Sequence, residues 1–163
     1  HRLSKLIIQN LFGTISGKKI CILGFAFKAN TNDTRESASI NICKDLIEEG
    51  AFLSIHDPKV TKEQIHKDLG IESLNSEKNY SERDDFFKLE GKWVFEDSIY
   101  NAAEKSDAIV VLTEWKEYTK INWEKVSKKM RKPSWIFDAR SILDKEEIIK
   151  NDLLLWRIGD GSK

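Results

Sequence analysis

Apolar residues fall along this chain in two kinds of run. Short, largely apolar runs at 19–23, 51–56, 93–95, 108–113, 135–137 and 153–158 stop at a Gly, an Asp or a polar pair. Runs that do not alternate read as strands buried on both faces. Between them the apolar positions recur at helical spacing. Leu3, Leu6, Ile7 and Leu11 mark a helix over 2–12, and Ile40, Cys43, Leu46 and Ile47 mark one over about 35–49, with Gly50 as its stop. Further helices are predicted at 61–69, 97–106, 123–131 (stopped by Pro133) and 143–150. Alternation of this kind predicts an α/β fold, a doubly wound Rossmann-like parallel sheet of about six strands with helices on both faces. The most apolar strand, 108–113, belongs at its centre. Residues 1–17 read as the end of a helix and a linker, and 18–163 as one domain. The stretch 70–92 is polar with scattered aromatics and predicts only a long loop.

Composition narrows the function classes. Lys plus Arg number 27 and Asp plus Glu 27, for a formal net charge of zero. A balanced chain has no general field to hold nucleic acid, so any anion site must be a local cluster. No apolar run approaches the ~20 residues of a membrane helix, and no signal peptide is visible, which makes cytoplasmic the default expectation. Cys21 and Cys43 lie within apolar patterns and read as small buried hydrophobes, not as a disulfide. His1, His56 and His66 have no metal-ligand spacing with them, and no nucleophile elbow occurs. No catalytic residue and no metal site is predicted. The first residue is His and the first helix lacks a cap, so the chain reads as a piece of something longer.

The candidate chemistry gathers at 18–37. A buried strand ends at Gly24, a loop carrying Phe27, Lys28 and Arg35 follows, and a helix is expected to open near Asp33 or Thr34, where Asp33 and Glu36 have the spacing of a capping box. Strand, Gly, basic loop and helix start together aim N–H groups and cations at an anion, and a phosphorylated ligand is the first expectation. Gly24 is the only Gly of that loop, and Asp57, at the end of the second strand, lies well beyond the ~20 residues at which a ribose-binding acid is expected. Binding of NAD in the usual first-loop manner is therefore not expected, and Asp57-Pro58 reads equally well as a strand-ending turn. Arg140, after the fifth strand, stands where it could join Lys28 on one phosphate, Arg as a bidentate fork and Lys as a point charge. The alternative is a surface pair with Asp138 or Asp144. Arg35, expected in a first helical turn where the dipole disfavours a cation, points either to a nearby anion or to Asp33 or Glu36. Trp115 reads as packing more readily than as a base-stacking platform.

Gly24-Phe25-Ala26-Phe27-Lys28, Asn30-Thr31, Asp33-Thr34-Arg35-Glu36-Ser37, Asp57-Pro58-Lys59, Thr113-Glu114-Trp115 and Phe137-Asp138-Ala139-Arg140 occur in the order found in one family. Over about 3–144 the chain resembles the C-terminal, UDP-binding domain of the UDP-glucose/GDP-mannose dehydrogenase family, with wording closest to the UDP-glucose branch. The resemblance implies a parent that oxidises UDP-glucose to UDP-glucuronate in two NAD-dependent steps through a thiol nucleophile. That thiol and the NAD-binding domain would lie outside this chain, which would be inactive alone, and 1–17 would be the end of an inter-domain connecting helix. By motif, Phe27, Lys28 and Arg140 would bind the UDP-sugar and Arg35 would reach NAD held mainly by the other domain. The family forms homo-oligomers. Ala139 departs from a Gly frequent in relatives. A related UDP-N-acetylhexosamine or GDP-mannose dehydrogenase domain is the near alternative, and a non-enzymatic Rossmann-like interaction module the distant one. Under the first readings Lys28, Arg35 and Arg140 share a cleft edge beside Phe27; under the last they scatter.

Overall fold

The computed structural model describes residues 2–74 and 91–160. Helix α1 (Arg2–Asn10) precedes β1 (Lys19–Leu23), α2 (Ala38–Glu48), β2 (Phe52–His56) and α3 (Lys62–Leu69). There follow β3 (Trp93–Phe95), α4 (Ile99–Ala103), β4 (Ala108–Val111), a 3-10 turn (Lys116–Lys120), α5 (Trp123–Lys129), β5 (Trp135–Asp138), α6 (Lys145–Lys150) and β6 (Leu154–Arg157). Every predicted strand is present. The sheet has six strands in the order β3-β2-β1-β4-β5-β6, all parallel. Every residue of β1, β2 and β4 is buried, which is why those strands show no alternation in the sequence. Most of the polar stretch 70–92, namely 75–90, lies outside the described residues.

Right-handed crossovers place α2 and α3 on one face of the sheet and α4 to α6 on the other. Helix α1 packs on α2, tied by Ser4 Oγ donating to Asp45 Oδ2 at 2.8 Å, and its Leu3 and Leu6 line a groove with Ala139 and Trp156 over the β5–β6 half. One continuous apolar core, from Ile7 through Ile22, Leu53, Val110 and Phe137 to Ile148, joins the helices to the sheet.

The strand order turns back on itself at β1. Chain to one side runs to β2 and β3, chain to the other to β4, β5 and β6, which makes the carboxyl ends of β1 and β4 the switch point of the sheet. Open α/β sheets bind their ligands at such a switch point.

One predicted start is corrected. Helix α2 opens at Ala38, with Ser37 as its N-cap accepting from Ser39 N, not near residue 33. Glu36 has φ 61°, a left-handed conformation that no capping-box residue adopts, and Asp33 instead folds back onto Arg35 N at 2.9 Å. The expected Asp33–Glu36 capping box is absent. Arg35 thus precedes the helix and does not stand in its first turn, where the dipole would disfavour a cation.

Candidate functional site

Four strand ends meet around this switch point. After β1 the chain turns at Gly24, whose φ is +100° and where an added Cβ would stand 2.4 Å from Thr113 Cβ and Oγ1. The loops after β1 and β4 approach so closely there that only glycine fits. Thr113 Oγ1 donates to Ala26 O at 2.9 Å and fastens the two loops below the surface.

Asp57, at the end of β2, organises the first loop. Its Oδ2 accepts from Phe25 N (2.8 Å), Ala26 N (3.0 Å) and Trp115 Nε1 (3.2 Å), and its Oδ1 from Lys59 N and Val60 N (2.9 Å each). The residue is buried. A carboxylate with both oxygens occupied by five protein donors is not available to a ribose. With one Gly in the loop and this acid saturated, the residues present do not fit a dinucleotide at the usual Rossmann position. Trp115 is buried by the same arrangement and packs as expected. Beside Asp57, buried His56 holds Tyr118: its Nδ1 lies 2.9 Å from Tyr118 Oη, which also donates to the His56 carbonyl at 3.2 Å. Burial lowers the imidazole's pKa, against the opposing fields of Asp57 and Asp97, and raises the tyrosine's well above its usual value.

Asp138 repeats the device at the end of β5. Its Oδ2 accepts from Ile142 N and Leu143 N and its Oδ1 from Arg140 N, so the loop carrying Arg140 is wound around a buried carboxylate.

Glu114 joins the two sides. Its Oε1 accepts from Ala29 N at 3.0 Å, and its Oε2 takes Nε of Arg140 at 2.6 Å together with Nη2. Burial pushes the Glu114 carboxyl up, but the Ala29 amide and the guanidinium outweigh it and hold it below the usual range. Arg140 therefore pairs with neither Asp138 nor Asp144 through its side chain. It is drawn across the switch point to the loop that carries Phe27 and Lys28.

That loop is closed on itself by Phe27 N donating to Asp33 O at 2.8 Å. Phe27 is 47% exposed, a large apolar ring left at the surface. Lys28 is exposed and has no hydrogen bond or ion pair among the described residues. Arg35 grips Asp33 with two parallel bonds, Nε to Oδ1 at 3.0 Å and Nη2 to Oδ2 at 2.8 Å, and holds the Asp33 carboxyl down to about 2, with a lesser contribution from Lys28. The partner carboxylate weighed for Arg35 in the sequence is thus present, and the pair is solvent-exposed, worth little to stability. Phe27, Lys28 and Arg35 share one loop, and Glu114 ties Arg140 to it. Cys21 and Cys43 are both buried, far from any role in this cluster.

Sequence reasoning missed two residues here. Glu114 was visible only within the Thr113-Glu114-Trp115 motif, and Asp57 only as a motif residue, a turn former or a misplaced ribose acid; neither was read as an anchor for the loops. A carboxylate placed directly after an apolar strand of a parallel sheet is the shared signal: it stands at the carboxyl edge, where loop amides need acceptors.

Residues 21–145 match the UDP-binding domain of the UDP-glucose/GDP-mannose dehydrogenase family. The chain is 43% identical over 148 residues to the UDP-glucose 6-dehydrogenase of Drosophila melanogaster, covering 91% of this chain and 29% of that protein. Against the UDP-glucose 6-dehydrogenase of Pongo abelii it is 46% identical over 144 residues, 88% of this chain and 27% of the other. The chain thus spans under a third of these relatives. Among solved structures, the NDP-N-acetyl-D-galactosaminuronic acid dehydrogenase of Methanosarcina mazei superposes with a TM-score of 0.69 at 23% identity, over 97% of this chain and 28% of that one. A UDP-glucose dehydrogenase of Pyrobaculum islandicum gives 0.64 at 18% identity, over 94% of this chain and 28% of its own. At these identities the two share the fold.

Proposed function

The chain belongs to the UDP-glucose/GDP-mannose dehydrogenase family, as its UDP-binding domain, and from that premise we propose that it holds the nucleotide sugar for a UDP-glucose 6-dehydrogenase. In such a protein UDP-glucose is oxidised to UDP-glucuronate in two NAD-dependent steps. Relatives at 43–46% identity that carry this name favour UDP-glucose over N-acetylated sugars or GDP-mannose. The observation that carries the reading is that Glu114 binds both Ala29 N and the Arg140 guanidinium, which ties Arg140 to the loop that carries Lys28. Glu114 draws the Arg140 loop to the β1 loop at the switch point, and Lys28 stays unpaired among the described residues beside exposed Phe27.

Each residue has a role suited to its chemistry. Arg140 presents a planar fork and Lys28 a mobile point charge, and together they match the two phosphates of a diphosphate. Phe27 gives an apolar wall against which the ligand can lie. Arg35, held out at the surface by Asp33, offers a cation beyond the domain's own edge, suited to NAD bound mainly by another domain. No step of the oxidation falls to this chain. Cys21 and Cys43 are buried with their pKa values raised, the opposite of an activated nucleophile. We further infer a homo-oligomeric, cytoplasmic parent in which 1–17 is the end of an inter-domain connecting helix and its linker.

Calorimetric titration of the chain with UDP, with GDP as control, tests the reading. UDP is expected to bind and GDP not, and Lys28→Ala to weaken UDP by about tenfold, the worth of one charge-assisted hydrogen bond. Equal affinity for both nucleotides, or no heat from either, overturns it. With UDP-glucose and NAD supplied, the chain alone is expected to form no NADH.

A further inference from the structure

Arg140 is an exposed, long side chain, and an anion site gains little from a cation that must first be ordered. An unrestrained arginine loses about 2 kcal/mol of rotamer freedom when it is fixed on a ligand. The structure removes that freedom in advance. Glu114 lies three residues beyond β4, whose pairing to β1 and β5 runs to Val111, and follows Thr113, which is fastened to Ala26 O. Its Oε2 takes both Nε and Nη2 of Arg140, which leaves Nη1 and its hydrogens directed elsewhere. Its Oε1 is engaged with Ala29 N, so the carboxylate cannot follow the arginine if it moves. The loop holding Ala29 is in turn pinned at Phe25 and Ala26 by Asp57 and at Ala26 O by Thr113.

We propose that Glu114 is a positioning residue for nucleotide-sugar binding, which locks Arg140 in a preset orientation against the Phe27–Lys28 loop so that its free edge meets the diphosphate. The inference rests on the UDP-binding reading given above. Glu114 does not touch the ligand. It acts through Arg140, whose remaining Nη hydrogens are left to meet the diphosphate together with Lys28. Support of this kind is what separates a precise site from a loose one.

A double-mutant cycle on UDP affinity distinguishes positioning from mere structural support. Glu114→Gln keeps an oxygen for Ala29 N but turns an NH2 group toward the guanidinium. Its thermal midpoint is expected to stay near the wild-type value while UDP binding weakens about tenfold. Glu114→Ala should weaken UDP at least as much. In an Arg140→Ala background the same Glu114→Gln change is expected to cost no further affinity. Equal loss in both backgrounds, unchanged affinity or tighter binding overturns the inference; tighter binding would mean that Glu114 competes with the ligand for Arg140. If the wild-type chain binds UDP and Arg140→Ala weakens it while Glu114→Gln does not, only this inference falls. If the wild-type chain does not bind UDP, the underlying reading falls and takes this one with it.

Discussion

The substitution Asp57→Asn exchanges one oxygen for an NH2 group and tests the way the first loop is held. The carboxylate accepts five hydrogen bonds, two at Oδ1 and three at Oδ2. An amide has one oxygen. Whichever way the new side chain turns, its NH2 group faces donors that it cannot accept from. The less costly orientation keeps the oxygen toward Phe25 N, Ala26 N and Trp115 Nε1 and turns the NH2 toward Lys59 N and Val60 N. Two hydrogen bonds to a charged acceptor are then lost, at about 1.5–3 kcal/mol each. Lys59 lies at the surface and water can recover part of that loss, which places the cost near the lower bound, about 3 kcal/mol. For a chain of this length the midpoint of thermal unfolding should fall by roughly 6–12 °C. The assay is urea unfolding followed by tryptophan fluorescence, with an unchanged m-value as the sign that only stability has moved. A loss below about 1 kcal/mol, less than one such hydrogen bond, would refute the claim that this carboxylate is the organiser of the loop. It would mean that the Thr113–Ala26 bond and the tight turn at Gly24 hold it unaided.

Two other expectations come from buried groups. His56 is kept neutral by burial, so its folded pKa lies below the ~6.5 of the unfolded chain. The unfolded state then binds more protons as pH falls, and the stability present above about pH 6.5 is lost as acid carries the protein down toward the folded value. Thermal midpoints between pH 8 and pH 5 should decline more steeply in the wild type than in His56→Gln, and parallel slopes would remove His56 as the cause. Burial also pushes the Cys21 thiol up to about 12 and raises that of Cys43 further, so neither should react with a thiol reagent at pH 8 until guanidinium unfolds the chain. Rapid labelling of the native protein would contradict the burial of both.

The strands were legible because the sheet is parallel and covered on both faces, which turns each strand into an unbroken apolar run such as 20–23 or 108–111. The start of α2 was not, because Asp33 and Glu36 carry the spacing of a cap while Ser37, further along the loop, does the capping. Local sequence offers both, and the choice is made by Ser37 Oγ reaching back to Phe25 O, a contact no window of helix propensity contains. The basic residues of the site were legible by type and by their place after strands. How they are held was not. Glu114 meets Arg140 across 26 positions and Ala29 across 85. Such pairings follow from strand order, which the apolar pattern leaves open until the sheet is assembled.

Asp57 also bears on how ligands are shared among related folds. A Rossmann sheet with a free acid after its second strand recognises a ribose there, and one whose acid is internally saturated does not, although the backbones superpose. Where two such sheets sit in one polypeptide, each would discriminate by lone pairs rather than by outline. Duplication of the fold would then carry no penalty of cross-occupancy, since the copy whose acid had turned inward could specialise on a different nucleotide without excluding the original by shape.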